Sequence, residues 1–180
     1  MLKVIIPPRT GFNNETQEFI DFKGITIQLE HSLVSISKWE AKYHKPFLVK
    51  TEKTNKELID YVKCMTITQN VPDEAYYFLT KENLTAINEY IGDSMTATWF
   101  TSHEKGGHSS EQVTSELIYY WMVSYQIPFE CQRWHLNRLM TLIRVCNVKN
   151  SKQQKMSKHD TMKHNASLNA ARRARLNSKG

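Results

Sequence analysis

Apolar and polar positions change period along this chain, and the change marks out its elements. The first segment, "LKVII", is a short apolar run ended by Pro7 and Pro8, which suits an edge strand. "QEFIDF" and "GITIQL" flank Lys23-Gly24 and predict a hairpin with a tight turn there, with Ile25, Ile27 and Leu29 on one face. From residue 31 the spacing becomes helical. "HSLVSISKWEAKYHKPF" has Ser32 as a cap, Leu33, Ile36 and Tyr43 near one stripe with Trp39 beside it, and Pro46 as a stop. "TNKE" is a capping box from Thr54 to Glu57, opening a helix whose apolar face is Leu58, Ile59, Val62 and Met65. Pro72 suits the first position of another helix, with Asp73 and Glu74 at its positive end. "TKENLTAINEYIG" predicts a helix from a Thr80 cap to Gly92.

The later pattern is longer in period. "MTATWF" is β-prone but short, and "TSHEKGGHSS" is a polar loop. A helix is expected from about Glu111 to Gln126, carrying Val113, Leu117, Tyr120, Trp121 and Ser124. Pro128 is expected to start the longest helix, to about Asn147, with Leu136, Leu139, Met140, Ile143 and Cys146 inward. The short link between the two predicts an antiparallel helix hairpin that organises the core. The expected fold is mainly α, of the α+β class: a small N-terminal antiparallel β element packed on a helical bundle, with a basic extended C-terminal tail.

Charge divides the chain where the apolar pattern ends. Residues 149–180 hold nine Lys/Arg and one acid, Asp160, a charge of +8; residues 1–148 hold fifteen and seventeen, a charge of −2, and together these give the +6 of the 180-residue chain. The division predicts one globular, mostly helical domain over 1–148 and a basic, intrinsically flexible tail over 149–180 that orders on a partner. "NASLNAARRARL" in that tail can form a short helix once docked. The tail has no aromatic residue, which disfavours a stacking platform for single-stranded nucleic acid and favours protein contact or non-specific electrostatics. No run of eighteen apolar residues predicts a membrane span, and the start lacks the pattern of a secretory signal. Three cysteines, at 64, 131 and 146, read as reduced thiols in a cytosolic setting.

Candidate chemistry concentrates on Cys131 and His135, four residues apart and so on one face of the expected helix. A zinc site needs about four ligands. Cys64, Cys146, His31, His44, His103 and His108 are single residues without a paired spacing. Cys131 and Cys146 are expected to fill the core as small hydrophobes, with His135 hydrogen-bonding at a helix contact. A Cys–His nucleophile pair lacks an orienting third group, and Gly106-Gly107 lacks the pattern of a phosphate loop. The expectation is a protein without catalytic, cofactor or metal residues. Trp39, Trp99, Trp121 and Trp134 are expected in helix packing, and Arg133, Arg138 and Arg144 on or near the polar side of the long helix. Arg and Trp are common interface anchors, so Arg133, Arg138 and Arg144, with Arg172, Arg173 and Arg175 of the tail, are the candidate partner-binding residues.

Four stretches, "LEHSLVSISKWEAKYHKPF", "MTATWF", "IYYWMVSYQIPFECQRWHLNRLMTLIRVCN" and "NAARRARLNSKG", resemble small proteins encoded in the tail-morphogenesis gene clusters of tailed bacteriophages, commonly labelled tail assembly chaperones. The resemblance runs from about Leu29 to Gly180 and is most specific over 118–147. It implies a non-enzymatic protein that escorts the tape-measure protein until tail-tube subunits polymerise around it. The implied partners are phage tail proteins (tape measure, tail tube or baseplate subunits), with a homo-oligomer compatible, and the implied place is the host cytoplasm during assembly. The alternatives are a structural component of the tail or baseplate, retained in the virion, and, weakest, a nucleic-acid-binding morphogenesis factor acting through the basic tail.

Overall fold

A long β ribbon, bent out of one register, starts the fold. In the computed structural model, which describes residues 1–13, 18–100, 112–150 and 158–176, β1 (Leu2–Ile6) pairs antiparallel with β4 (Ile25–Leu29), and β2 (Arg9–Asn13) with β3 (Glu18–Phe22). The first ladder ends with Ile6 opposite Ile25 and the second begins with Arg9 opposite Phe22. Two residues on each side separate them without a change of register. Pro7 and Pro8 fill one side and cannot donate to a ladder. Gly24 lies on the other at φ 79°, where a Cβ would stand 2.8 Å from the Pro8 nitrogen. Lys23-Gly24 is therefore not the expected hairpin turn, and β3 and β4 do not pair. Val4, Ile6, Ile27 and Leu29 are buried on one face of the inner half, where Ile25 is half-buried. The 3-10 helix Asp73–Phe78 supports the outer half, with Phe78 stacked on Phe22 at 4.9 Å.

Helices fill the rest, and the fold is α+β, mainly helical. Their starts follow the local signals. Helix α1 (Leu33–Tyr43) opens on Ser32 in a reciprocal box with Ser35, α2 (Asn55–Met65) on Thr54 with Glu57, and α3 (Lys81–Gly92) on Thr80 with Asn83. Helix α4 (Ser115–Ser124) opens on Thr114. Pro72 starts the 3-10 helix rather than an α-helix. Met95–Phe100 forms no strand, and Trp99 is exposed instead of packed. The polar loop expected over 101–110, with His103, Gly106, Gly107 and His108, lies outside the described residues, as does Glu111.

The core sits on α1. This helix packs against α2, α4 and the 3-10 helix Phe129–Arg133. Trp39 is buried at the centre, its indole N–H donating to the Glu57 carbonyl at 2.8 Å, with Tyr43 and Phe47 rings at 4.8 and 5.1 Å. On α2, Tyr61 takes the inward place that Leu58 was expected to fill, and Leu58 is 47% exposed. Burial would raise the Asp60 carboxyl, but hydrogen bonds from Lys42 and Tyr43 outweigh it and hold it below its ordinary range.

The expected pair over 111–147 departs most from its pattern. Pro128 begins a 3-10 turn, and the long helix α5 starts only at Leu136 and runs to Asn150. Between them the chain is drawn into a β-bridge, Ser32 with His135, and the Leu136 N–H donates to the His31 carbonyl at 2.7 Å, which a helix running through 128–147 would forbid. Leu136, Leu139, Ile143 and Cys131 are buried as expected; Leu117, Trp121, Met140 and Cys146 are half-buried. Ile118 and Met122 carry the inward face of α4, toward α1, while Tyr120 is exposed.

The chain divides into two units, Met1–Cys146 and Asn147–Gly180. In the second, α6 (Lys158–Leu176) extends beyond the short helix expected at 165–176, and its described side chains are exposed. Among the described residues no helix is long and apolar enough to cross a membrane.

Candidate interaction cleft beside a buried histidine pair

The strand-to-helix joint "LEHS" meets the turn "CQRWHLN" through the Ser32–His135 bridge. This brings His31 and His135, both buried, to a ring separation of 5.1 Å. The Asn137 N–H donates to His135 Nδ1 at 3.3 Å, so the imidazole proton sits on Nε2, which donates to the Tyr90 carbonyl at 2.9 Å. His31 Nδ1 shares a hydrogen bond with the buried Tyr61 hydroxyl. Burial, and then the neighbouring His135, push His31 down to about 4, so it is neutral near pH 7. Burial pushes the Tyr61 phenol up. Both histidines are thereby spent on joining α1, α2, α3 and α5.

Asn137 adds to the same joint. Its side-chain amide donates to the carbonyls of Ile91 (3.1 Å) and Asp93 (2.6 Å), closing the C-terminal end of α3 together with His135. Cys131 and His135 do not share a helix face, since one lies in the 3-10 turn and the other precedes α5. Burial raises the Cys131 thiol, as it does Cys64, which disfavours the reactive thiolate. Among the described residues no three His, Cys, Asp or Glu side chains are grouped to hold a metal.

Outside this joint lie two adjoining recesses, of about 330 and 430 Å³, that share Glu30, Ile67 and Arg133. Lys38 and Cys64 line the smaller one; Trp134, Tyr90, Met95 and Arg138 line the larger. Three ties along β4 fix the floor: Ile67 N–H donates to the Gln28 carbonyl, Glu30 N–H to that of Met65, and Gln28 N–H to the Thr68 hydroxyl. Glu30 is engaged on both oxygens, by the Tyr90 hydroxyl at 2.7 Å and the Met1 ammonium at 3.1 Å. Burial, and then the Glu30 carboxylate, raise the Tyr90 phenol. The Arg138 guanidinium lies 4.2 Å over the Trp134 ring. Among the described residues, Lys38, Arg133 and Arg138 enter no ion pair.

Of the six arginines singled out from sequence, the structure brings Arg133 and Arg138 together. Arg144 lies apart from this lining, 4.0 Å over the Phe100 ring. Arg172, Arg173 and Arg175 are exposed on α6 of the second unit. Glu30, Lys38, Ile67 and Tyr90 escaped the sequence reading. Only the acid-histidine pair inside "LEHS", where strand gives way to helix, hints at a polar joint. No protein-family model, curated protein or solved structure matches this chain.

Proposed function

We propose that this chain is a non-enzymatic binding protein of bacteriophage tail morphogenesis, a tail assembly chaperone that engages the tape-measure protein or tail subunits in the host cytoplasm. The reading rests on the resemblance over residues 29–180. The observation that carries it into three dimensions is the two-sided character of α4. Ile118 and Met122 are buried, toward α1, while Tyr120 (64%), Val123 (60%) and the following Phe129 (55%) stand exposed. Tyr119 links the two, its hydroxyl donating to Gln132 at 2.8 Å and its ring 6.3 Å from that of Phe129. A surface of this kind suits the apolar stripe of a helical partner. The conspicuous buried polar groups, His31, His135, Tyr61 and Glu40, are meanwhile engaged in structural hydrogen bonds.

Quantitative mass spectrometry of purified virions tests the reading. A chaperone is absent or substoichiometric in the finished particle, and phage lacking it accumulate no complete tails. A fixed copy number per virion would make the chain a structural component of the tail or baseplate instead. Tyr120→Ser with Val123→Ser should abolish complementation while leaving the isolated protein folded, because exposed substitutions usually change stability by less than about 0.5 kcal/mol.

A further inference from the structure

We infer that the paired recesses around Arg133 form a second binding site, distinct from the α4 surface, that takes an acidic peptide segment of a partner protein. The inference deepens the proposed binding function and rests on it only for the class of partner. The first ground is uncompensated charge. Lys38, Arg133 and Arg138 face the recesses without an ion pair among the described residues, and the one carboxylate there, Glu30, is already satisfied by Tyr90 and the Met1 ammonium. An acidic ligand therefore meets Lys38 and Arg133 in the smaller recess and Arg133 and Arg138 in the larger, with the one lining carboxylate already engaged.

The second ground is preorganisation. The Arg138 guanidinium lies 4.2 Å over the face of Trp134, a contact that restricts its rotamers while a guanidinium so stacked can still donate to a carboxylate. The backbone that carries Trp134 is held in place, since its main-chain N–H donates to the Cys131 carbonyl at 3.0 Å and His135 beside it is bonded through both ring nitrogens. Side chains already ordered lose less entropy on binding.

The third ground is the mixed wall. Ile67, Met95 and Trp134 give the larger recess apolar surface beside its arginines, whereas the smaller recess offers Lys38 with Ser32, Ser35 and Thr66. A peptide that alternates carboxylate and aliphatic side chains answers both. A nucleic-acid strand answers less well, because affinity for phosphates grows with the number of contacts. Among the described residues the site offers three cations outside an ion pair, on a 1–148 segment whose charge is −2.

The test is fluorescence anisotropy with the full chain and three labelled probes: a peptide of about ten residues alternating Glu and Leu, its Lys/Leu counterpart, and a single-stranded oligonucleotide. The Glu/Leu peptide should bind, the Lys/Leu peptide should not, and added salt should weaken binding. Arg133→Gln with Arg138→Gln should weaken it at least about tenfold, the loss expected for a charge-assisted hydrogen bond. Lys38→Gln should weaken it less. Arg144→Gln, on the same helix but off the recesses, should leave it unchanged. All these side chains are exposed, so each variant should stay folded, which circular dichroism checks. Absence of Glu/Leu binding, equal binding by the double variant, or tighter oligonucleotide binding through the same arginines would each overturn the site. None of those results bears on virion composition, which decides the chaperone reading by itself.

Discussion

The Glu40 carboxylate on α1 accepts the backbone N–H of Ser115, the first residue of α4, at 2.8 Å across 75 residues of sequence. Its other oxygen accepts the Phe47 N–H at 2.7 Å. Glu40 is thus buried without a cationic partner among the described residues, satisfied by amide donors and by the positive end of α4. Glu40→Ala strands both donors and should cost about 2–4 kcal/mol in urea denaturation. Glu40→Gln keeps an acceptor and should cost less.

Stability should rise with pH between about 4 and 6.5. His31 is held near 4 in the fold against an ordinary 6.5, so the unfolded chain binds the extra proton across that window. The groups facing it are His135 and Tyr61, neither of which offsets a positive charge. The shift is worth about 3 kcal/mol, fully present above 6.5 and lost as pH falls toward 4. Glu57 and Asp60 are held below their ordinary values, and so lose their contributions at lower pH, below about 4.5. Urea midpoints from pH 7.5 to 4.5 should show the slope, and His31→Gln should flatten it.

Gly24→Ala should destabilise by about 1–3 kcal/mol. The new Cβ meets the Pro8 nitrogen at 2.8 Å and the Ile6 carbonyl oxygen at 3.0 Å, and φ 79° is itself costly for alanine. Thermal melting of this variant beside Gly92→Ala, where a Cβ meets nothing within 4 Å, separates the ribbon's constraint from a general effect of losing glycine.

Two leucines should part company. Leu139 is fully buried, and Leu139→Ala should cost about 2–5 kcal/mol. Leu58, half exposed on α2, should cost under about 1 kcal/mol when changed to alanine. Equal losses would show that α2 packs through a face other than the one carrying Tyr61, Val62 and Met65.

The helix starts were legible because each rests on residues within one turn: Ser32, Thr54 and Thr80 cap what they were expected to cap. The ribbon was not, because Lys23-Gly24 has the local chemistry of a turn while the pairing of Ile6 with Ile25 is decided by distant residues. The long helix starts eight residues after Pro128, since apolar periodicity continues through "ECQRWH" while His31 captures the Leu136 N–H, a contact that periodicity does not register. Arg133 and Arg138 stood out by type, yet the recesses they share need Glu30, Lys38, Ile67 and Tyr90 from four other segments. No short-range pattern encodes such a meeting.

The closing of α3 by His135 and Asn137 has a consequence for how this chain leaves the ribosome. Tyr90, Ile91 and Asp93 emerge some 44 to 46 residues before the side chains that bond their carbonyls. Over that interval those carbonyls lack the partners they have in the fold, and an uncapped helix end is free to fray. Arrival of "RWHLNR" at once finishes α3, sets His31 beside His135 and supplies Arg133 and Arg138. The nascent protein therefore gains the finished end of α3 and the arginines of its recess in one late step.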